Sequence, residues 1–146
     1  MKASPINRKS ERGIALVETA IVMLVFLTVM FGVLEISRLL WTVNVLTDAT
    51  RRGARYAVVN SADSDAVKNL VVYGSTGGGT NPVVNGLTTT DVDVAYSANF
   101  GLGSGRVTVR ITNYPFQFVV PLVGTSFDLP EFKTTLTGES AGVPPP

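Results

Sequence analysis

One carboxylate stands where a carboxylate is expensive. Glu18 is the only ionisable side chain in residues 14–34, IALVETAIVMLVFLTVMFGVL, where only Glu18, Thr19, Thr28 and Gly32 are not apolar. An ionised group inside such a run needs a partner, or must reach the polar edge of the apolar medium around it. The rest of the chemical inventory is thin. The chain has no cysteine and no histidine, which removes disulfides, thiolate and imidazole metal sites, Cys nucleophiles and His general bases. Residues 74–80 are glycine-rich but lack the Gly-Lys-Ser/Thr ending of a phosphate-cradling loop, and Gly101, Gly103 and Gly105 do not complete a dinucleotide-binding pattern. Asp63 with Asp65, and Asp91 with Asp93, have the alternate spacing of calcium ligands, yet neither pair continues as an EF-hand loop. Helix capping for the first pair and the solvent face of a strand for the second are the preferred readings. Lys68 and Lys133 have no serine context that would make a Ser/Lys hydrolase and read as solvated side chains. No metal or cofactor is expected, and the chain reads as a protein without a reaction of its own.

The element that must position Glu18 is a long helix. Residues 14–34 would span about 31 Å at 1.5 Å per residue, enough for a hydrocarbon core of roughly 30 Å. The run is too long for the core of a secretory signal, and no small-residue Ala-x-Ala site follows it, so a single transmembrane helix retained in the mature protein is expected. Charge sets its direction. Four basic residues, Lys2, Arg8, Lys9 and Arg12, precede the run against one acid, Glu11, for a net +3, whereas residues from Ile14 onward carry eight basic and ten acidic side chains, net −2. The positive-inside rule then places the N-terminus in the cytoplasm and the rest outside it. The faintly acidic remainder has no clustered Lys/Arg face, which excludes nucleic acid as a partner.

Nothing breaks the helix between Glu35 and Val59. Glu35 with Arg38, and Asp48 with Arg51 and Arg52, stand at i,i+3 or i,i+4 spacing and support a solvated continuation by a few tenths of a kcal/mol per pair. Trp41, Val45, Ala49, Gly53 and Ala57 recur every four residues as an apolar stripe that needs a partner, either the C-terminal part or a neighbouring helix. Trp41 has a second reading, as an anchor at the membrane interface.

Gly13 stands directly before the apolar run, after a short basic leader, and Glu18 is the fifth residue of the run counting from Ile14. That arrangement resembles the type IV prepilin signal, and the resemblance implies cleavage after the glycine by a membrane-embedded prepilin peptidase. Ile14 would then carry a new α-ammonium one helical turn from Glu18. Two readings of Glu18 stand side by side: pairing with that ammonium in a bundle of apolar helices, or snorkelling to the headgroups near the helix start. The match narrows over residues 12–59. The pairs Arg12-Gly13 and Val17-Glu18, the run Gly32-Val33-Leu34-Glu35-Ile36-Ser37-Arg38, and Arg51-Arg52-Gly53-Ala54-Arg55-Tyr56-Ala57, in that order, resemble the TadE-like family of minor-pilin-like proteins of tight-adherence (Tad) pilus systems. Thr19 stands where that family usually places an aromatic residue.

Beyond Val59 the pattern changes. Asp63 or Asp65 can cap a short helix over residues 66–73 closed by Gly74, and residues 74–86, GSTGGGTNPVVNG, read as a flexible loop. Alternation of Val92, Val94 and Tyr96, and of Val107, Val109 and Ile111, with polar neighbours gives two half-buried strands, joined by a glycine-rich connection as an antiparallel hairpin. Residues 116–123 are apolar but flanked and broken by Pro115 and Pro121, which fits an edge segment or a short helical turn; residues 132–137 form the last strand candidate. The expected fold is therefore α+β: a long N-terminal transmembrane helix continuing into a pilin-like helix packed on a small antiparallel sheet. The expected organisation is a basic leader, 1–13; a transmembrane and extended helix, 14–59; an extracytoplasmic α+β domain, 60–140; and a disordered tail, 141–146.

The resemblance implies a structural and assembly role in a Tad-type pilus or related secretion apparatus. The implied partners are inner-membrane lipid, prepilin peptidase, other pilin-like subunits and the pilus assembly machinery. The implied location is the bacterial inner membrane, single-pass, with the C-terminal domain periplasmic and then on the pilus or cell surface after assembly. The alternative is a non-cleaved, membrane-anchored binding module, an adhesin or sensor with an extracytoplasmic β-rich domain.

Overall fold

The computed structural model describes residues 8–60, 63–97, 105–119 and 126–138, with side chains from Gly13 onward. The expected tail and the connection over residues 98–104 lie outside the described residues. Helix α1 runs Arg8–Val59, 52 residues without interruption. The chain divides into two compact units, Met1–Ser37 and Arg38–Pro146.

In the first unit the helix over residues 14–37 is apolar with its side chains outward, Glu35 excepted. Ile14, Leu16, Leu24 and Val29 are each about two-thirds exposed, as only a non-aqueous or protein surround would tolerate. Its hydroxyls are satisfied within the helix: Thr19 donates to the Ala15 carbonyl, Thr28 to Leu24 and Ser37 to Val33, each at 2.8 Å. Such back-bonding removes the cost of placing a hydroxyl where no water can reach it.

In the second unit, the part of α1 from Arg38 onward packs with a second helix and a sheet. Helix α2, Ser64–Tyr73, begins two residues earlier than expected because Asp63 is its cap: the Asp63 Oδ1 accepts from the Ala66 amide at 2.9 Å. Gly74 closes it in the left-handed conformation, φ 72°, and its amide reaches the Leu70 carbonyl at 3.0 Å. Strands β1 (Val92–Tyr96) and β2 (Arg106–Ile111) pair antiparallel with Val94 opposite Val109. After β2 the chain forms a separate two-stranded ribbon, β3 (Pro115–Gln117) with β4 (Ser126–Asp128), in which Phe116 faces Phe127. It then returns as β5 (Phe132–Thr137), which lies antiparallel on the free edge of β2, giving the order β1-β2-β5. Of the residues 116–123 for which two readings were open, Phe116 and Gln117 lie in strand and residues 120–123 lie outside the described residues; the partner β4 is too short for its sequence to carry a period of two.

The sheet is two-faced, as its alternation requires. Val107, Val109 and Ile111 point into the core, while Asp93, Arg106, Lys133 and Thr135 face solvent. Against the inner face lie Leu46, Ala49, Ala54 and Ala57 of α1 and Val67, Val71 and Val72 of α2. The small side chains on α1 matter because they let three elements meet closely. A Cβ built on Gly53 would overlap Cγ2 of Val71 on α2 and lie 3.5 Å from Cγ1 of Val109 on β2. The α+β architecture expected from the sequence, with a transmembrane-capable helix packed on a small antiparallel sheet, is the one formed.

Two expectations need correction. The glycine-rich segment after α2 is tied down: Val84 and Leu87 are buried, the Val83 amide donates to the Val72 carbonyl at 2.7 Å, and the Tyr114 hydroxyl donates to the Asn85 carbonyl at 2.7 Å. Composition registered the glycines but not the apolar anchors, Val84 within the segment and Leu87 directly after it. The apolar stripe is also out of phase at its start, for Trp41 is 59% exposed and the buried face is Thr42, Leu46, Ala49, Thr50, Gly53, Ala54 and Ala57. A strict four-residue repeat advances 400°, drifting about 40° per step at 3.6 residues per turn, so Trp41 stands far around the helix from Ala57. Alternating steps of three and four hold the face.

Candidate functional site

The residues singled out from sequence fall in two groups along α1. In the first, Gly13, Ile14 and Glu18 lie on the uninterrupted helix, so Ile14 and Glu18 are separated by four residues and share one face. Ile14 is 66% exposed, Glu18 is exposed, and nothing lies within 4 Å of a Cβ placed on Gly13. No hydrogen bond or ion pair involves Glu18 among the described residues. The hydroxyls nearby are satisfied internally and this carboxylate is not, which makes it the one group in residues 14–34 whose polar requirement must be met from outside its own helix. The Gly13–Ile14 peptide bond itself is within helix α1, which starts at Arg8.

The second group behaves residue by residue. Asp48 and Arg52 are brought together, Arg52 Nε lying 3.4 Å from Asp48 Oδ2 on a solvated face, a contact worth a few tenths of a kcal/mol. Glu35 is buried, 5% exposed, unlike the solvated residue expected. The Arg38 guanidinium lies over the Phe116 ring, 5.4 Å from its centroid, and Phe118 meets the same ring edge-on at 5.3 Å. Arg38 therefore docks α1 on the β3–β4 ribbon by a cation–π contact. Sequence reasoning missed Phe116; the only available signal was an aromatic pair at alternate positions after Pro115.

The most deeply buried polar group on the packed face is Thr50, 1% exposed, which donates to the Thr47 carbonyl at 2.8 Å and lies 3.0 Å from the Thr134 hydroxyl of β5. Tyr114 is 6% exposed, and burial raises its phenol above the usual 10.0 while the nearby Arg38 charge pulls the other way. Burial, followed by the charge of Asp63, likewise raises Tyr96. The acidic pairs have local employment: Asp63 caps α2, Asp91 Oδ2 accepts from the Thr88 amide at 2.9 Å, and Asp93 Oδ2 lies 3.2 Å from Arg110 Nε. A polar groove of about 380 Å³ is lined by Asp65, Lys68, Asn69, Thr89 and Thr90. None of these is a serine, so a Ser/Lys pair is not assembled there. No cluster of three or more Asp or Glu suited to a metal ion occurs among the described residues.

Helix α1 contains one span, within Gly13–Val59, long and apolar enough to cross a membrane, with a mean hydropathy of 2.5 and none of its most apolar window buried. An unburied window of this kind differs from the core helix of a water-soluble protein, which hides its apolar residues inside its own fold. No curated protein and no solved structure matches the chain. Residues 13–55, the stretch from Gly13 through Glu18 to Arg55, match the family model described as TadE-like protein, which makes the N-terminal region of this chain TadE-like and supports a pilin-like, Tad-pilus-related protein.

Proposed function

We propose that this protein is a structural and assembly subunit of a Tad-type pilus or a related secretion apparatus. Helix α1 inserts in the inner membrane with the N-terminus cytoplasmic, and prepilin peptidase cuts after Gly13. The part from residue 60 onward lies outside the cytoplasm and carries no reaction of its own. The observation that carries this reading is the exposed apolar helix with a single carboxylate, Glu18, one turn from Ile14 and without a partner among the described residues. Cutting after Gly13 would create an α-ammonium at the positive end of the helix dipole, an unfavourable place for a cation. Glu18 offsets both problems at once. Its carboxylate neutralises the ammonium of its own or a neighbouring subunit, and in a bundle of apolar helices either charge left alone would cost several kcal/mol.

The chain is helical from Arg8 through the cut site, so the peptidase has to unwind at least the turn around Gly13 to reach the bond. Glycine eases that step, since it favours the helix by about 1 kcal/mol less than alanine does. The test is the mass and N-terminal sequence of the protein extracted from membranes of cells with an active prepilin peptidase. A chain starting at Ile14 is expected, and a dominant intact Met1 form would refute the processing and favour the non-cleaved anchored module. Substitution of Gly13 by a larger residue should block the cut; because the position is open on this chain, a block would reflect the peptidase and not a disturbed fold. A periplasm-active reporter fused after Gly142 should be active, and one fused before Lys9 silent.

A further inference from the structure

The second unit exposes few large apolar side chains, and they are not scattered. Among the described residues from Arg38 onward they are Leu40 at 57%, Trp41 at 59%, Val59 at 71%, Val119 at 72% and Phe127 at 53%. Four of the five are close to one contact in sequence or in strand pairing. Arg38 sits over Phe116, Phe116 faces Phe127 across the β3–β4 ribbon and meets Phe118 edge-on, Val119 follows Phe118, and Leu40 and Trp41 follow Arg38 by two and three residues. Val59 is the exception, about 27 Å up the helix from Trp41. Between β3 and β4 the sequence of residues 118–125 reads FVVPLVGT, apolar in composition where connecting sequences are ordinarily polar.

This apolar end is also the end at which the chain runs on into residues 14–34. Trp41 lies seven residues past Leu34, about 10 Å along a helix, the depth of a headgroup layer. Tryptophan and arginine together are the residues that suit such a layer, one by its amphipathic ring and the other by a charge that can reach phosphate. The four exposed side chains offer on the order of 400 Å² by ordinary side-chain areas, half of the roughly 800 Å² that each partner of a stable complex buries. A lipid surface makes no such demand for a contiguous complementary partner.

We propose that the β3–β4 ribbon is a second membrane contact: Phe127 and Val119, with Leu40 and Trp41 on α1, enter the headgroup and upper acyl region beside the point where the helix leaves the bilayer. The ribbon thereby seats the second unit on the lipid surface before assembly. This rests on the membrane-anchored reading of α1, and the experiment separates the two. Trp41 is the only tryptophan in the chain, so the full-length protein reconstituted in phosphatidylcholine–phosphatidylglycerol vesicles reports its own depth. Quenching of Trp41 by lipids brominated high on the acyl chain tests the anchor. A chain carrying Trp41→Phe and Phe127→Trp moves the single indole to the ribbon and tests that contact. Phe127 is exposed, so its replacement should not disturb the fold, and a far-UV spectrum matching the parent checks that. Several-fold quenching of the ribbon indole by the same lipids, shielding from aqueous acrylamide, and independence of both from protein-to-lipid ratio are expected. Quenching of Trp41 in the parent without quenching of the ribbon indole in the variant would overturn the ribbon contact and leave the anchor standing. Loss of the ribbon indole's shielding on dilution into excess lipid would assign the patch to another copy of the chain and overturn the lipid proposal. Absence of both signals would overturn the interfacial placement of Trp41 and the ribbon contact together, while co-flotation of the protein with the vesicles under alkaline carbonate tests the anchor itself.

Discussion

Replacing Gly53 by alanine should destabilise the second unit, although helix propensity argues the opposite. On an open helix surface Gly→Ala is worth about 1 kcal/mol in favour of alanine. Here the new methyl would overlap Cγ2 of Val71 and touch Val109 and Val67 at 3.5 and 3.7 Å. Val71 is fully buried and β-branched, so its methyl cannot swing aside, and α2 is held at both ends by Asp63 and Gly74. Relief requires α2 to move off α1. Overpacking of this kind costs about 1–3 kcal/mol, so the net effect of Gly53→Ala is roughly 0–2 kcal/mol of lost stability, and Gly53→Leu should lose more. Val71→Ala alone removes two methyl-sized groups at about 0.8 kcal/mol each, plus a cavity term. In the Gly53→Ala background that space is already needed, so the double variant should be more stable than the sum of the singles by about 1–2 kcal/mol. The assay is denaturant unfolding of the full chain in detergent micelles, followed by tyrosine fluorescence and circular dichroism. A rise in the midpoint for Gly53→Ala, with additive behaviour for the pair, would refute the three-element contact.

Four further outcomes follow from other groups of the chain. Thr50→Val should cost about 1–2 kcal/mol by stripping the α1 partner from Thr134, and adding Thr134→Val should recover part of it, read from the same unfolding curves. Because burial raises Tyr114 and Tyr96, the folded state holds their protons after the unfolded chain has begun to release them; their contribution to stability should be constant below about pH 9 and be lost as pH climbs past 10.0. Tyr114→Phe should cost about 1 kcal/mol at neutral pH by losing the bond to the Asn85 carbonyl, and should make that alkaline fall shallower when midpoints are compared across the range. Glu18→Ala should leave insertion and processing intact, since an apolar run improves as a membrane span when its charge is removed, but should abolish surface assembly. Wild-type pilus levels with the variant present and processed would limit Glu18 to a headgroup contact.

Much of the fold could be read from neighbouring residues because neighbours were enough to produce it. Asp63 and Gly74 bracket α2 through bonds that span three or four positions, and the alternation in β1, β2 and β5 fixes which face each strand buries whatever lies beneath. The apolar run, its flanking charges, Gly13 and Glu18 are likewise local, and they carry the membrane and pilin-like reading without any tertiary contact. Other features depended on surfaces distant in sequence. Which edge of β2 receives β5, that Phe127 finds Phe116, and that Arg38 settles on an aromatic ring are outcomes of packing between elements whose separate patterns are silent about one another. The phase of the α1 stripe belongs to the same class: hydrophobicity favoured Trp41, but the volume available against Val71 and Val109 selected Thr50, Gly53 and Ala54, because close approach of three elements requires small side chains more than apolar ones.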